Sequence, residues 1–265
     1  MRIGIFDSGL GGLVIAKAVI KKLPNLDYVY FGDTKNLPYG EKSKNQVYNF
    51  TRAAVNFLLE KDCQLVIVAC NTASALALRR LQQEFLPKKY PDKKVLGVIV
   101  PTMENVAENA KIKRLGVLAT AFTVNSHVYK KELAKRTKNV KVFEQAAPKL
   151  VPIIEKGQTG KIAPMIQRYV QPLLAKKVNA IALGCTHYPL VEKQIKKIAG
   201  SKVEVINQTK IIPESLQNYL RRHPEIVRIL SKNAKKEFFV TKLNLQFQKS
   251  ADRLFGGKIN FKTVK

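Results

Sequence analysis

Two cysteines stand in similar surroundings at widely separated places in the sequence. Cys70 follows the apolar run of residues 65–69 and precedes Asn-Thr, and Cys185 follows the run 180–184 and precedes Thr-His. Short apolar runs are typical of buried strands in parallel sheets, so each thiol should lie at the carboxyl end of a strand. Ligand sites of open α/β sheets gather at that edge. Two thiols that face one ligand from opposite sides could remove a proton from one face of a carbon atom and return one to the other.

The cysteines also have other interpretations. A cysteine at the end of an apolar strand is often a small buried hydrophobic residue, and Cys63, which has no matching partner, is interpreted in that way. A zinc site needs close Cys and His pairs, whereas this chain has three scattered cysteines and three histidines, so no metal is expected. A Cys-His hydrolase would need His187 to reach Cys185 from two residues away in an extended segment, where side chains alternate faces. Both alternatives are disfavoured.

Two further loops follow predicted strands and bring polar groups to the same edge. The glycine-rich loop 6–12 matches neither the Walker loop nor the dinucleotide-binding fingerprint, so nucleotide binding is disfavoured. Its glycines and the following helix start suit a carboxylate, with Asp7 and Ser8 at the mouth, although a capped tight turn explains the same residues. The loop 32–40 contains proline and glycine, so it is stiff and can present Tyr39 at one place.

The chain is strongly basic, with 47 Lys and Arg against 19 Asp and Glu and a formal net charge of +28. The basic residues are dispersed, and no helix-turn-helix, zinc-finger or RNA-binding signature accompanies them, so we expect a solvated surface and no nucleic-acid partner. Three cysteines are an odd number and too few for a disulfide framework, which favours a reducing compartment. The sequence has neither a signal peptide pattern nor an apolar run of membrane-spanning length, and it predicts a cytoplasmic protein with no membrane contact.

Apolar strands alternate with amphipathic segments, which predicts βα units, largely parallel sheets and an α/β fold. The predicted strands span residues 2–6, 28–31, 65–69, 95–100, 115–119, 140–143, 180–183 and 203–206, and the predicted helices span residues 9–23, 44–61 and 73–84. The recurrence of the strand–cysteine motif indicates two similar half-domains with one thiol each. Crossings between them are expected at Val100-Pro101 and near residues 208–213.

Five motifs together resemble the glutamate racemases, within the aspartate/glutamate racemase family. They are FDSGLGG at 6–12, DTKNLPYG at 33–40, ACNTA at 69–73, LGVLAT at 115–120 and GCTHYPL at 184–190. The resemblance implies two similar α/β domains with mainly parallel sheets and an active site in the cleft between them. It assigns residues 1–97 plus 208–265 to the first domain and residues 98–207 to the second.

The resemblance also implies an activity and its setting. Members of this family interconvert L- and D-glutamate without a cofactor and supply D-glutamate for peptidoglycan synthesis, and hence for cell wall biogenesis and cell shape. Glutamate is therefore the expected small-molecule substrate, and a cytoplasmic homodimer is the expected assembly. No cofactor is expected.

The resemblance carries roles onto individual residues of this chain. It implies that Cys70 and Cys185 are the two acid/base thiols, that Asp7 assists Cys70, and that His187 and Glu155 assist Cys185. The residues expected to hold the ammonium and carboxylate groups of the substrate are Asp7, Ser8, Tyr39, Gly40, Asn71, Thr72, Thr120, Thr123, Thr186 and His187.

The chemistry sets conditions on the two thiols. The α-proton of an amino acid is very weakly acidic, so a thiol with an ordinary pKa near 8.5 can abstract it only if the site favours the thiolate or stabilises the carbanion. One sulfur must start as thiolate and the other as thiol. Each must come within roughly 3.5 Å of Cα on its own side, which predicts sulfurs about 7 Å apart.

Three positions depart from the family pattern. Ala147 stands where relatives usually have cysteine, Ala119 replaces a frequent glycine and is expected to narrow the side-chain pocket, and Asn207-Gln208-Thr209 replaces Asp-Ser-Ala or Asp-Ser-Gly at the return crossing. None of them removes a proposed acid/base group. Two alternatives stay open: a racemase for aspartate or another amino acid, and a catalytically silent basic protein that binds nucleic acid or a partner.

Overall fold

The computed structural model describes residues 1–264, and its strands form two parallel sheets. The strands within these residues are β1 (Arg2–Asp7), β2 (Tyr28–Gly32), β3 (Cys63–Val68), β4 (Lys94–Gly97), β5 (Arg114–Ala119), β6 (Lys141–Ala146), β7 (Ala180–Gly184), β8 (Glu204–Ile206), β9 (Lys236–Val240) and β10 (Phe261–Thr263). The first sheet has the order β10-β9-β2-β1-β3-β4 and the second has the order β6-β5-β7-β8. Every neighbouring pair of strands is parallel.

Helices connect the strands, as parallel pairing requires. They are α1 (Gly12–Lys22), α2 (Lys44–Glu60), α3 (Asn71–Leu76), α4 (Leu78–Arg80), α5 (Leu86–Lys89), α6 (Ile99–Glu108), α7 (Ala121–Ser126), α8 (Val128–Ala134), α9 (Leu150–Glu155), α10 (Thr159–Ala175), α11 (Glu192–Ala199), α12 (Gln208–Arg222), α13 (Pro224–Ile229) and α14 (Leu245–Phe255). Short 3-10 turns lie at Thr34–Asn36, Tyr39–Glu41 and Tyr188–Val191, and a π-helical segment lies at Leu81–Phe85. Within residues 1–264, none of the helices has both the length and the apolar character that a membrane crossing needs.

The two sheets share one apolar core. Successive side chains of β1 point to opposite faces, so that Ile3 and Ile5 belong to one buried cluster and Phe6 belongs to another. The cluster that contains Ile3 also contains Leu115 and Val117 of the second sheet, together with residues of α1, α6 and α12. Both faces of each sheet are therefore covered, which explains why the strands are nearly continuous runs of hydrophobic residues.

The first crossing differs from its prediction. The strand expected over residues 95–100 ends at Gly97, and α6 begins at Ile99, so Pro101 lies in the first turn of a helix. A proline is tolerated there because the backbone N–H groups of the first turn have no partner within the helix. The helix expected over residues 73–84 is also wrong in detail, because α3 starts earlier, at Asn71, and is followed by α4 and the π-helical segment.

Two strands were missed by the sequence patterns. β9 pairs with β2, and β10 pairs with β9, so the carboxyl-terminal part of the chain extends the first sheet. All strands of the first sheet come from residues 2–97 and 236–263, and those of the second sheet come from residues 114–206. The exact domain boundaries at residues 97/98 and 207/208 stay a prediction.

Candidate active site

The residues with chemical side chains follow the carboxyl ends of neighbouring strands. Asp7 ends β1, and Cys70 follows β3 and precedes the first residue of α3. β1 and β3 are adjacent in the first sheet. Thr120 follows β5 and Cys185 follows β7, and these strands are adjacent in the second sheet. Each local fold has the same cause: an apolar run that completes its strand is followed by polar residues that begin a turn or a helix.

One cavity lies between the two sheets, and both thiols line it. Its internal space is about 70 Å³, which is several times the volume that one water molecule needs. The lining residues from the first half are Ser8, Leu37, Pro38, Tyr39, Gly40, Glu41, Cys70, Asn71 and Thr72, and those from the second half are Thr120, Ala121, Pro148, Val151, Pro152, Cys185, Thr186 and His187. A small polar ligand in this cavity would therefore contact both halves of the molecule.

Three of the predicted site residues lie behind the cavity wall. Asp7 and Thr123 are completely buried, and neither lines the cavity, while Glu155 contacts His187 from outside it. All the other predicted site residues line the cavity. Ala119, which was expected to narrow the pocket, is also completely buried and lies outside the lining.

Cys185, His187 and Glu155 form a chain of polar contacts. The sulfur of Cys185 lies 3.7 Å from Nδ1 of His187, and Nε2 of His187 lies 2.8 Å from Oε1 of Glu155. Burial disfavours the charged imidazole, but the Cys185 and Glu155 side chains outweigh this effect and hold the pKa of His187 well above its ordinary value. The contact therefore places a cationic side chain next to the sulfur of Cys185.

This contact corrects one premise drawn from the sequence. His187 was expected to point away from Cys185 because the segment was taken as extended. The backbone of His187 is instead helical (φ −82°, ψ −26°) and leads into the 3-10 turn Tyr188–Val191. Its side chain therefore folds back onto the sulfur two residues before it.

Cys70 has different surroundings. Its sulfur lies 3.4 Å from Oγ of Ser8. Burial and the nearby Asp7 carboxylate raise the pKa of the Cys70 thiol to about 12, so the thiol form predominates at neutral pH. Burial likewise raises the pKa of Asp7 to about 6, against the opposing effect of His187. The two thiols thus differ in charge environment, with an acidic neighbour for Cys70 and a cationic one for Cys185.

The glycine-rich loop after β1 lies directly against the loop of the second thiol. Oδ2 of Asp7 accepts a hydrogen bond from the backbone N–H of Gly9 (2.8 Å), and Oδ1 accepts one from the hydroxyl of Thr186 (3.2 Å). A Cβ atom on Gly11 would lie 2.5 Å from Oγ1 of Thr186 and 2.7 Å from Nδ1 of His187. Only a glycine fits at this position without moving the second loop.

Threonine hydroxyls make a second bridge between the halves. Oγ1 of Thr72 lies 3.0 Å from Oγ1 of Thr120 and 3.4 Å from Oγ1 of Thr123. Thr120 also caps α7, because its hydroxyl accepts from the backbone N–H of Thr123. Hydroxyl groups can donate or accept, so this cluster can adapt to either a carboxylate or an ammonium group.

Sequence reasoning missed seven lining residues. They are Leu37, Pro38, Glu41, Ala121, Pro148, Val151 and Pro152. Several of them flank predicted motifs, and that proximity was the available signal. Within residues 1–264, no cluster of three or more His, Cys, Asp or Glu side chains is arranged to hold a metal ion.

The fold and the site together define a class of protein. It is an α/β protein with two parallel sheets, each of which presents one free thiol to a shared cavity.

The Asp/Glu/Hydantoin racemase family model matches residues 14–216, and the chain belongs to this family. A glutamate racemase from Dinoroseobacter shibae is 38% identical, with 100% of this chain and 99% of that protein covered. The crystal structure of a glutamate racemase isoform from Bacillus anthracis has a TM-score of 0.91 at 32% identity and covers 100% of this chain and 97% of that one. The glutamate racemase from Francisella tularensis, in complex with D-glutamate, has a TM-score of 0.89 at 30% identity, with 100% and 97% covered. These similarities confirm the predicted α/β fold class.

Proposed function

We propose that the protein interconverts L- and D-glutamate by two-thiol acid/base catalysis without a cofactor. The observation that carries this proposal is the cavity itself, which Cys70 and Cys185 line from the edges of two different sheets. One thiol on each side of a bound amino acid is the arrangement that inversion at Cα needs.

The reaction transfers one proton away from Cα and one proton to it. In one direction, the Cys185 thiolate takes the α-proton, and the electron pair of the broken C–H bond is delocalised into the α-carboxylate. The Cys70 thiol then gives its proton to the opposite face of Cα and becomes a thiolate. The reverse direction exchanges the two roles. The neighbours of the two thiols support this starting state, because an acidic side chain lies near Cys70 and an imidazole lies beside Cys185.

The positioning of the substrate is assigned to the polar lining. The amide of Asn71 and the hydroxyls of Thr72 and Thr120 can donate hydrogen bonds to the α-carboxylate, where negative charge develops in the transition state. The hydroxyl of Thr186 donates to Asp7, so its oxygen can accept a hydrogen bond from the ammonium group. Ser8, Tyr39 and Gly40 are the other predicted substrate-binding residues that line the cavity from the first half. Asp7, Glu155 and Thr123 act from behind the wall through Thr186, His187 and Thr120, respectively.

Glutamate is favoured over aspartate by the relatives. The relatives reported above that cover nearly the whole chain carry the name glutamate racemase, and one of them was crystallised with D-glutamate. We further propose a cytoplasmic homodimer that supplies D-glutamate for peptidoglycan synthesis, cell wall biogenesis and cell shape. Three free cysteines are compatible with a reducing compartment.

Deuterium incorporation tests this function. Purified protein is incubated with L-glutamate or L-aspartate in heavy water without any added cofactor, and label at Cα and chirality are followed by NMR and polarimetry. We expect glutamate to gain label and lose optical rotation, and Cys70→Ala and Cys185→Ala to abolish racemisation. Label in aspartate alone would reassign the substrate, and no label in either amino acid would refute the racemase proposal.

A further inference from the structure

A buried cluster of polar side chains lies behind the cavity wall, at the place where the chain crosses between the two halves. Its centre is Gln208, the first residue of α12, whose side chain is 1% exposed. Its partners Asn71, Thr102 and Tyr129 are also buried, at 2%, 1% and 0% exposure, respectively. Gln208 follows Asn207 at the return crossing between the halves.

The amides of Gln208 and Asn71 pair with each other in both directions. Nδ2 of Asn71 donates to Oε1 of Gln208 (2.9 Å), and Nε2 of Gln208 donates to Oδ1 of Asn71 (3.0 Å). The hydroxyl of Tyr129 donates a further hydrogen bond to Oδ1 of Asn71 (2.6 Å). Oδ1 of Asn71 therefore has two donors, and one N–H of its Nδ2 is not used by Gln208.

The backbone fixes the orientation of this pair. Nε2 of Gln208 lies 3.4 Å from the carbonyl oxygen of Val98 and 3.1 Å from Oγ1 of Thr102. A backbone carbonyl can only accept, so the nitrogen of the Gln208 amide must be on this side. The oxygen of Gln208 then faces Asn71 and requires a donor from it. The orientation of the Asn71 amide thus follows from a backbone group in the first crossing.

We propose that Gln208 is a positioning residue that sets the amide orientation of Asn71. This inference rests on the proposed function, in which Asn71 donates to the substrate. Asn71 directly follows Cys70 and lines the cavity, and the pairing leaves it one N–H for a carboxylate. An unpaired buried amide costs free energy. Without Gln208, the side-chain amide of Asn71 would therefore rotate, or a water molecule would enter beside it. Gln208 lies at the start of α12 and also contacts Thr102 of α6 and Tyr129 of the second half. It therefore links both crossings to the second half.

A double-mutant cycle separates positioning through Asn71 from a purely structural role. Gln208→Met has a similar shape and keeps no amide, and Asn71→Ala removes the group that Gln208 is proposed to orient. We expect Gln208→Met to lower kcat/KM for glutamate about tenfold, the equivalent of one good hydrogen bond, with part of the loss in kcat. In the Asn71→Ala background, the same substitution should change kcat/KM less than about twofold.

Thr102→Ser is the matched control. It keeps the hydroxyl that contacts Gln208 and removes only a methyl group, so kcat and KM should stay within about twofold of the wild type. Melting temperatures are measured for all variants. If Gln208→Met does not fold, Gln208→Leu takes its place in the cycle.

Additive losses in the double mutant, or an equal loss in Thr102→Ser, would overturn the positioning role. The failure of the proposed function has a different signature, because the wild-type protein would then neither racemise glutamate nor bind it in calorimetry, and Gln208 would have no substrate-positioning role. If the wild-type protein racemises glutamate but the losses in the double mutant are additive, the positioning role of Gln208 is refuted and the proposed function stands.

Discussion

At the scale of single residues, the site is asymmetric although its two thiols occupy equivalent places in two sheets. Both sulfurs are buried, but their neighbours differ. Cys70 lies near a buried carboxylate, and Cys185 contacts an imidazole. A racemase needs one thiol and one thiolate at the start of each turnover. The proposed mechanism uses these different neighbours to make one sulfur the acid and the other the base.

Asp7 should make the stability of the protein depend on pH. Burial raises its pKa in the folded state from 3.8 to about 6, so the folded protein holds this proton more tightly than the unfolded chain does. The stabilisation from protonation is complete below pH 4 and is lost as the pH rises through about 6. Asp7→Asn removes this dependence. We therefore expect the variant to gain stability relative to wild type, by up to about 3 kcal/mol, between pH 4 and pH 7.

Urea unfolding of both proteins at several pH values measures this difference. A constant difference in the free energy of unfolding across the range would contradict the raised pKa. Racemisation should be impaired in the variant at every pH, because Asn cannot carry the charge that acts beside Cys70.

At the scale of elements, the site depends on two loops that lie in direct contact across the cleft. The loop between β1 and α1 fits against the loop after β7 only because Gly11 has no side chain. The contact brings the Asp7 carboxylate within hydrogen-bonding distance of Thr186. This contact therefore fixes the position of the two loops relative to each other beside the second thiol.

Gly11→Ala should lower kcat/KM by about a hundredfold, because the added Cβ displaces Thr186 and His187 and small misplacements of catalytic groups have effects of this size. The backbone itself tolerates alanine, since Gly11 has ordinary helical angles. Gly160→Ala is the control, because its Cβ would meet no atom within 4 Å. Steady-state kinetics of both variants checks the expectation, and equal activity of the two would show that the loop contact is dispensable.

The sequence could predict where the site would form more readily than how its groups would meet. An apolar run followed by Cys-Asn-Thr or Cys-Thr-His marks a strand end, and strand ends of parallel sheets share an edge. The contact between Cys185 and His187 depends on a tight turn that alternation alone does not reveal. The pairing of Asn71 with Gln208 joins residues 137 positions apart, and no local pattern encodes it. β9 was missed because it begins with Lys236 and Glu237 and only its last three residues are buried, so its apolar run is short.

At the scale of the whole molecule, the most prominent property is the formal net charge of +28. A positive field of this size attracts glutamate, whose two carboxylates outnumber its one ammonium group, and raises its local concentration near the cleft. It also attracts nucleic acids without any sequence recognition. The two consequences can be separated by experiment, since only the first alters the kinetics of racemisation.

Salt should lower kcat/KM for glutamate severalfold between about 0.02 M and about 0.3 M NaCl, because screening shortens the reach of the field. The kcat value at saturating substrate should change much less, since the reacting groups are buried. Initial rates measured by polarimetry at several salt concentrations provide both kcat and kcat/KM. A salt-independent kcat/KM would contradict electrostatic attraction, and a tight DNA complex that survives about 0.15 M salt in a mobility-shift assay would favour the basic binding protein.

The most direct test of the account is hydrogen exchange at Cα in two single-cysteine variants. Cys70→Ser leaves only Cys185 as a competent base and Cys185→Ser leaves only Cys70, so each variant can remove the α-proton from one face. We expect racemisation to fall at least about a thousandfold in both, while Cys63→Ala stays within twofold of the wild type. In heavy water, one variant should label only D-glutamate and the other only L-glutamate. If both variants label the same enantiomer, or if either labels both, the two thiols do not act from opposite faces of one carbon atom.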